Sequence, residues 1–221
     1  MLVHERMSKN PITITEDIPI NQALKVMRDE KVRRLPVLNK KGKLVGIVSE
    51  RDLLYASPSP ATSLSIHELH YLISKITVSE VMTRDVITMN EYTPLEEAAR
   101  IMSDNKIGGL PVVRDGKLVG IITESDLFKI FTEILGARDM GVRLSMLVPE
   151  QPGVLADITR AIADMGGNII SLGTFLGEDP TNRLITVKVA DVAQDKLVAE
   201  MEVLALEIVD ARTCVSCRKA A

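Results

Sequence analysis

The chain has 221 residues, more than one small domain needs, so we expect two modules. Hydrophobic residues make up 46% and charged residues 26%, which excludes a disordered tail, and no apolar run approaches the roughly 20 residues of a membrane-spanning helix. The net charge of −3 and the aromatic content of 3% argue against broad binding to nucleic acid or anionic lipid. We therefore expect a cytoplasmic protein that binds a small molecule, without nucleic acid or membrane as a partner.

One unit of the sequence occurs twice. The segment that begins at Met7 recurs at Met82, an offset of 75 residues. After a deletion of one residue in the second copy, the motif Gly-Lys-Leu-Val-Gly-Ile recurs at an offset of 74, in residues 42–47 and 116–121. An internal repeat of this length indicates a duplicated supersecondary unit.

Each copy is predicted to run strand, helix, strand, strand, helix. Pro19 and Pro94 occupy positions typical of a helix start, and apolar residues follow them at helical spacing. A polar turn at 39–43 separates two short apolar strands, and the last helix follows Ser49 or Thr123 as its N-cap. The apolar helix positions are Ala23, Leu24 and Met27 in the first copy and Ala98, Ile101 and Met102 in the second, and the opening strands are predicted at 12–14 and 87–89.

These motifs, which occur twice in the same order, resemble a tandem pair of CBS domains (a Bateman module). We place the first repeat at residues 1–56, a linker at 57–78 and the second repeat at 79–135. The resemblance implies two repeats that pack about a pseudo-twofold axis. It also implies a regulatory module that binds an adenosine-containing ligand, such as AMP, ADP, ATP or S-adenosylmethionine, in clefts between the repeats.

The Ser/Thr-x-x-Asp pattern at the start of each last helix suits such a ligand. The hydroxyl and the carboxylate three residues later face the same way on a helix, so Asp52 and Asp126 are candidates for binding ribose hydroxyls. Ser49 and Thr123, beside the free N–H groups of the helix start, are candidates for phosphate. The alternative is that the hydroxyls only cap the helices and the carboxylates only interact with the helix dipole.

The two clefts are predicted to differ. The first repeat carries Arg33 and Arg34 before its Leu-Pro-Val strand, where the second carries Gly108 and Gly109. The resemblance implies that these positions line the nucleotide site, so the arginines are candidates for phosphate and the glycines for close approach of a purine. Solvated charges at a strand edge are the alternative for the arginines. By the same resemblance, Thr13, Ile87 and Thr88 of the opening strands contact the base, and Pro111 is a further nucleotide-binding candidate.

The linker between the repeats begins with a helix-breaking Ser-Pro-Ser-Pro stretch. Apolar residues at helical spacing then predict a helix at 65–73. His67 and His70 lie on this helix at a spacing that would let them share a metal ion. Because no third ligand is within reach in the sequence, a solvated helix face is the favoured interpretation.

From Gly141 onward the sequence no longer follows the repeated unit. From 141 to 213 the predicted order is βαββαβ, the ferredoxin-like arrangement of the α+β class, with an antiparallel sheet and both helices on one face. Glu-Gln-Pro-Gly-Val-Leu before the first helix and Gly-Gly-Asn-Ile after it resemble an ACT domain, an amino-acid-sensing module. The resemblance implies an amino-acid site made by Glu150, Gly153, Val154, Leu155, Asn168 and Ile169. Glu150 departs from the Asp or Asn that is usual in amino-acid binders, and dimer contact is the alternative role.

The tail, 214–221, holds both cysteines of the chain, Cys214 and Cys217. A single C-x-x-C pair is half of a zinc site and follows no βαβ redox context. An intersubunit zinc ion or disulfide is one interpretation, and a reduced tail is the favoured one. We therefore predict no metal site and no cofactor.

The sequence predicts a regulatory ligand sensor and not an enzyme. It contains no nucleophile triad, metal triad, P-loop or dinucleotide fingerprint. The order CBS, CBS, ACT is similar to that of bacterial acetoin utilisation proteins of the B type, which implies a link to acetoin catabolism, a homodimer and a protein target that the sequence does not identify. A structural dimerisation protein with vestigial clefts and an amino-acid sensor acting through the ACT domain are the alternatives.

Overall fold

A computed structural model describes residues 1–56 and 74–214. The chain forms two compact units, Met1–Leu127 and Phe128–Ala221, and each is described by itself. The predicted linker helix with His67 and His70, and Cys217 of the tail, lie outside the described residues.

Both repeats of the first unit have the predicted order of strand, helix, strand, strand, helix. The chain begins with α1 (Val3–Arg6) and β1 (Ser8–Lys9). The first repeat continues with β2 (Ile14–Thr15), α2 (Ile20–Asp29), β3 (Arg34–Leu38), β4 (Leu44–Ser49) and α3 (Glu50–Ala56). The second contains α4 (Val78–Val81), β5 (Met89–Asn90), α5 (Leu95–Asn105), β6 (Gly109–Arg114), β7 (Lys117–Thr123) and the start of α6 (Glu124–Ile134), a helix that continues past Leu127, where the first unit ends. The opening strands are shorter than predicted, because parallel pairing with β3 and β6 begins only at Ile14 and Met89.

Helices α2 and α5 cover one face of each sheet, as their apolar spacing predicts. Pro19 and Pro94 are the N-cap residues, where the missing N–H has no helical partner to lose. Ala23 and Met27 are buried, as are Ala98 and Met102. Burial of these side chains against the strands supplies the apolar stabilisation of each repeat.

The opening segment of each repeat joins the sheet of the other repeat. Strand β1 pairs antiparallel with β7, with Ser8 opposite Ile121. In the equivalent place of the first repeat, the N–H of Ile47 donates to the carbonyl of Thr83 at 3.0 Å, and the N–H of Thr83 donates back at 2.9 Å. The repeats therefore exchange their first residues about the pseudo-twofold axis.

A methionine precedes each exchanged segment and packs on a glycine of the other repeat. A Cβ atom at Gly46 would collide with the sulfur of Met82 and lie 3.1 Å from the carbonyl oxygen of Thr83. A Cβ atom at Gly120 would collide with the sulfur of Met7. This contact accounts for the initial Met and for the second glycine of the Gly-Lys-Leu-Val-Gly-Ile motif in both copies.

The carboxylate of Glu91 is buried in the second repeat and is paired with Arg114. The Glu91 side chain is 3% exposed, and both of its oxygens accept hydrogen bonds from the Arg114 guanidinium. These hydrogen bonds lower the pKa of Glu91 below its ordinary value of 4.5, although burial acts in the opposite direction. A folded-state pKa below the unfolded value means that the pair stabilises the fold above about pH 4.5 and loses this effect as the pH falls through the lowered pKa.

Replacement of Arg114 by glutamine is expected to lower the melting temperature at neutral pH by several degrees, because the Glu91 carboxylate then stays buried without its cation. The difference from the wild type should shrink as the pH falls below 4.5, since the carboxyl can then be protonated. Thermal unfolding at a series of pH values measures this. Arg100→Gln removes an exposed Arg–Glu pair on α5 and serves as the control, with little expected change. A pH-independent effect of Arg114→Gln would contradict the assignment.

The second unit has the predicted ferredoxin-like order. Its elements are β8 (Gly141–Pro149), α7 (Val154–Asp164), β9 (Asn168–Leu176), β10 (Asn182–Ala190), α8 (Gln194–Met201) and β11 (Glu207–Cys214). The antiparallel strands lie in the order β11-β8-β10-β9. Ile158 and Ile162 of α7 and Leu197 of α8 pack on alternate residues of β8 and β10. Leu155, near the start of α7, is 42% exposed, in contrast to the buried Ile158 and Ile162.

Candidate functional site

A cavity of about 560 Å³ lies between the two repeats of the first unit. It includes many of the predicted nucleotide-binding residues: Arg33, Arg34, Ser49, Asp52, Ile87, Gly108 and Gly109. The pseudo-twofold arrangement explains this mixture, because the helix start of the first repeat faces the opening segment of the second. The CBS resemblance implied clefts between the repeats, and this cavity has lining residues from both; the binding roles of these residues stay predictions.

The start of α3 holds the Asp52 carboxylate in a fixed position. Asp52 Oδ2 accepts hydrogen bonds from the backbone N–H of Ser49 at 2.8 Å and from its hydroxyl at 2.7 Å, and the N–H of Asp52 donates to Ser49 Oγ at 3.2 Å. Ser49 therefore caps α3, as the alternative interpretation of this residue predicts. In the part of the chain that the structure describes, Asp52 Oδ1 accepts no hydrogen bond, so a ligand hydroxyl has an acceptor available.

The second helix start has the same geometry but lies outside this cavity. Asp126 Oδ2 accepts a hydrogen bond from the N–H of Thr123 at 3.1 Å and another from its hydroxyl at 2.7 Å. Neither residue is part of the cavity lining. The cavity also does not include Thr13, Thr88 and Pro111, and Pro111 is buried within β6. A second ligand site at Asp126 stays a prediction.

The space beside Gly108 is occupied by Arg34 from the other repeat. A Cβ atom at Gly108 would collide with the guanidinium of Arg34 and lie 2.6 Å from the carboxylate of Glu124. Arg34 Nη2 lies 4.0 Å from Glu124 Oε2. We expected the glycines to give a purine access to the backbone. Any ligand that uses this space must first displace the Arg34 side chain.

Several residues of the cavity were not predicted from the sequence. They are Ile47, Glu50, Arg51, Thr83, Asp85, Val86, Lys106, Ile107, Glu124 and Ser125. With the predicted residues they give the lining four basic and four acidic side chains, so its formal charge is balanced. The repeat gave no signal for Lys106, because Lys31 at the equivalent position has the same left-handed backbone but is not part of this lining.

The residues of the predicted amino-acid site do not share one cavity in the second unit. Glu150, Val154 and Leu155 line a cavity of about 260 Å³, where the Glu150 carboxylate accepts a hydrogen bond from Nε of Arg183 at 2.5 Å. Asn168 lines a different cavity beside Gly141. Gly153, the N-cap of α7, has a φ of 98° that favours glycine, and Ile169 lies next to Asn168 on β9. The amino-acid site stays a prediction.

Within residues 1–56 and 74–214, no group of three or more His, Cys, Asp or Glu side chains could hold a metal ion. His4 accepts or donates a hydrogen bond at Nδ1 with the carbonyl of Glu91 at 3.3 Å and stacks edge-on against Tyr92. Among the helices of the described ranges, none has the length and apolar character needed to cross a membrane.

Family comparisons match both units. The CBS domain family matches residues 3–59 and 78–133, just over half of the chain, and the ACT domain family matches residues 142–200. A CBS domain-containing protein of Dictyostelium discoideum is 35% identical over 136 residues, which cover 61% of this chain and 94% of that protein. The L-aspartate semialdehyde sulfurtransferase of Methanocaldococcus jannaschii is 36% identical over 131 residues, but the match covers only 23% of that enzyme.

Two solved structures are similar to the CBS repeats. One is a CBS domain pair in complex with 5′-methylthioadenosine and S-adenosyl-L-methionine, with 34% identity and a TM-score of 0.51 over 63% of this chain and 98% of that one. Another is a Vibrio cholerae protein named for acetoin utilization, with 35% identity and a TM-score of 0.51 over 62% of this chain and 93% of that one. The chain therefore belongs to the CBS-domain family, as a tandem pair of CBS repeats followed by a C-terminal ACT domain.

Proposed function

We propose that the chain is a non-catalytic regulatory sensor that binds an adenosine-containing ligand between its CBS repeats. The observation that carries the proposal is the Asp52 carboxylate, which is fixed by Ser49 at the start of α3 in a cavity of about 560 Å³. Its second oxygen suits the vicinal hydroxyls of a ribose. The similar CBS pair that was solved with 5′-methylthioadenosine and S-adenosyl-L-methionine supports the same ligand class.

The charges of the cavity favour an adenosine ligand without several phosphates. Four basic side chains, Arg33, Arg34, Arg51 and Lys106, are balanced by four acidic ones, Glu50, Asp52, Asp85 and Glu124. A triphosphate gains little from a lining without net positive charge, because repulsion from the carboxylates offsets attraction to the guanidinium groups. Methylthioadenosine is uncharged and S-adenosylmethionine carries a positively charged sulfonium. We therefore propose that these two bind most tightly, that AMP binds less tightly, and that ADP and ATP bind most weakly.

The proposed signal is a change in contacts made by the dimer or by the ACT domain. Ligand binding changes such an equilibrium only by its difference in affinity for the two states, and the coupling is reciprocal. The homodimer, the protein target and a role in acetoin utilisation are parts of this proposal, and likeness to the Vibrio cholerae protein supports the last of them.

A ligand panel tests the proposal. The full chain is titrated by calorimetry with methylthioadenosine, S-adenosylmethionine, AMP, ADP and ATP, and its melting temperature is recorded with each. We expect saturable binding, with the first two ligands at least about tenfold tighter than ATP, and a rise in melting temperature, because a ligand at about 100 times its Kd adds about 2.7 kcal/mol to stability. Amino acids form a separate arm that reports on the predicted ACT site. Absence of binding by every adenosine compound would refute the sensor and favour a structural dimerisation protein.

A further inference from the structure

A second cavity of the first unit, of about 500 Å³, lies where the two β-hairpins turn. The β3–β4 turn and the β6–β7 turn contribute most of its lining, and the segment before β2 contributes the rest. The lining consists of Asn10, Pro11, Thr13, Leu38, Lys41, Gly42, Lys43, Gly116, Lys117 and Leu118. It shares none of these residues with the cavity at Asp52, and we call it the hairpin cavity.

The hairpin cavity is strongly basic. Lys41, Lys43 and Lys117 are its charged residues, and no carboxylate is part of the lining. Asp115 belongs to the β6–β7 turn but lies outside the lining. None of the three lysines has a carboxylate oxygen within 4.0 Å in the part of the chain that the structure describes. The cavity at Asp52, in contrast, has equal numbers of basic and acidic side chains.

The lysine side chains are not needed to form the turn that presents them. Asn39 Oδ1 accepts hydrogen bonds from the backbone N–H of Lys41 at 2.9 Å and of Lys43 at 3.0 Å. The N–H of Gly42 donates to the carbonyl of Asn39 at 2.9 Å, and its φ of 74° favours glycine. The β3–β4 turn is therefore closed by its own backbone and by Asn39, which leaves the ammonium groups of Lys41 and Lys43 available to a ligand.

Only part of the basic character of this cavity comes from the repeat: Lys43 and Lys117 occupy the same position of the repeated Gly-Lys-Leu-Val-Gly-Ile motif, and Lys41 does not recur. With offsets of 75 and 74 residues, the positions equivalent to Asn10 and Lys41 hold Asp85 and Asp115. Asp85 lines the cavity at Asp52, and Asp115 lies outside the lining of the hairpin cavity. The two halves of the duplicated unit have diverged in charge at this place.

We propose that the hairpin cavity binds a small soluble anion that bears two or more phosphate groups. Three ammonium groups without carboxylate neighbours match such an anion, because lysine binds phosphate as a point charge and the three attractions add. The two turns come from different repeats, so the anion joins the repeats in a cavity that shares no lining residue with the one at Asp52, although its lining includes Thr13, which the CBS resemblance assigned to the adenosine ligand. The anion site is independent of the proposed adenosine site.

Calorimetric titration with inorganic tripolyphosphate tests this proposal. The triple variant Lys41→Gln, Lys43→Gln, Lys117→Gln removes the positive charges of the cavity. The matched triple variant Lys25→Gln, Arg28→Gln, Lys196→Gln removes the same charge from exposed positions elsewhere. We expect saturable binding by the wild type, affinity at least about tenfold weaker in the cavity variant, and affinity close to that of the wild type in the matched variant.

Two outcomes of this titration would overturn the proposal. An equal loss of affinity in both triple variants would show attraction by net charge alone, and an absence of saturable binding by the wild type at low ionic strength would exclude the site. All six substitutions are at exposed residues, so the melting temperatures should stay close to that of the wild type. If the triple cavity variant does not fold, Lys117→Gln alone is expected to weaken binding, and an unchanged affinity in that variant would contradict the proposal.

Discussion

Asp52→Ala should weaken binding of S-adenosylmethionine or methylthioadenosine about 100-fold. The Asp52 carboxylate is proposed to accept two ribose hydroxyls, and a hydrogen bond to a charged group contributes about 1.5 kcal/mol or more, so the loss of two corresponds to about 3 kcal/mol. Calorimetry with the full chain measures the change. The substitution also removes the hydrogen bonds that Asp52 accepts from Ser49, so a variant with the same structural loss is needed.

Asp126→Ala is that control. Asp126 accepts the same pair of hydrogen bonds from Thr123 at the start of α6, but it does not line the cavity at Asp52. Affinity at the first site should stay near that of the wild type. If the predicted second site at Asp126 also binds, each variant removes one of two sites and the stoichiometry falls accordingly. An Asp52→Ala protein that binds as tightly as the wild type would contradict the assignment of Asp52 to ribose.

Gly46→Ala should lower the free energy of unfolding by about 1–3 kcal/mol, the usual effect of added volume in a close-packed contact. The new methyl group would collide with the sulfur of Met82 and lie 3.1 Å from the carbonyl oxygen of Thr83. The backbone at Thr83 cannot move easily, because Thr83 and Ile47 exchange two hydrogen bonds across the repeats. Urea unfolding measures the change.

Gly120→Ala provides the matched comparison for this contact. Within 4 Å, the three nearest atoms to the new methyl group all belong to the Met7 side chain, which can change its rotamer. We expect a smaller loss of stability than at Gly46. A double-mutant cycle between Gly46→Ala and Met82→Ala should give a favourable coupling, because the shorter side chain makes room for the methyl group. Equal effects at Gly46 and Gly120, with no coupling to Met82, would show that the close contact does not limit this position.

The repeated elements of the CBS pair and the βαββαβ order of the second unit were predictable because they depend on local patterns. The offset of 75 residues, the prolines before α2 and α5 and the apolar spacing of Ala23 and Met27 all act within a few residues of the chain. The Ser/Thr-x-x-Asp geometry at Asp52 and Asp126 was predictable for the same reason, since the cap and the carboxylate belong to one turn of helix.

The composition of the site depended on contacts that are distant in the sequence. No local pattern shows that Arg34 lies against Gly108, or that the opening segment of one repeat lines the cavity at the helix start of the other. Close approach of a purine at Gly108 stays a prediction, and nothing in the sequence indicated that the Arg34 side chain of the other repeat occupies that space. The charge of the hairpin cavity also required the fold, because Lys43 and Lys117 come from different repeats.

The exchange of opening segments means that one repeat alone is an incomplete folding unit. A fragment that contains only the first repeat would carry Met7 and β1 without β7 to receive them, and it would leave Gly46 without Met82. Two such fragments can satisfy each other by the same exchange, so an excised repeat should associate with a second copy of itself. The duplication places both repeats in one chain, so each opening segment finds its receiving sheet within the same molecule.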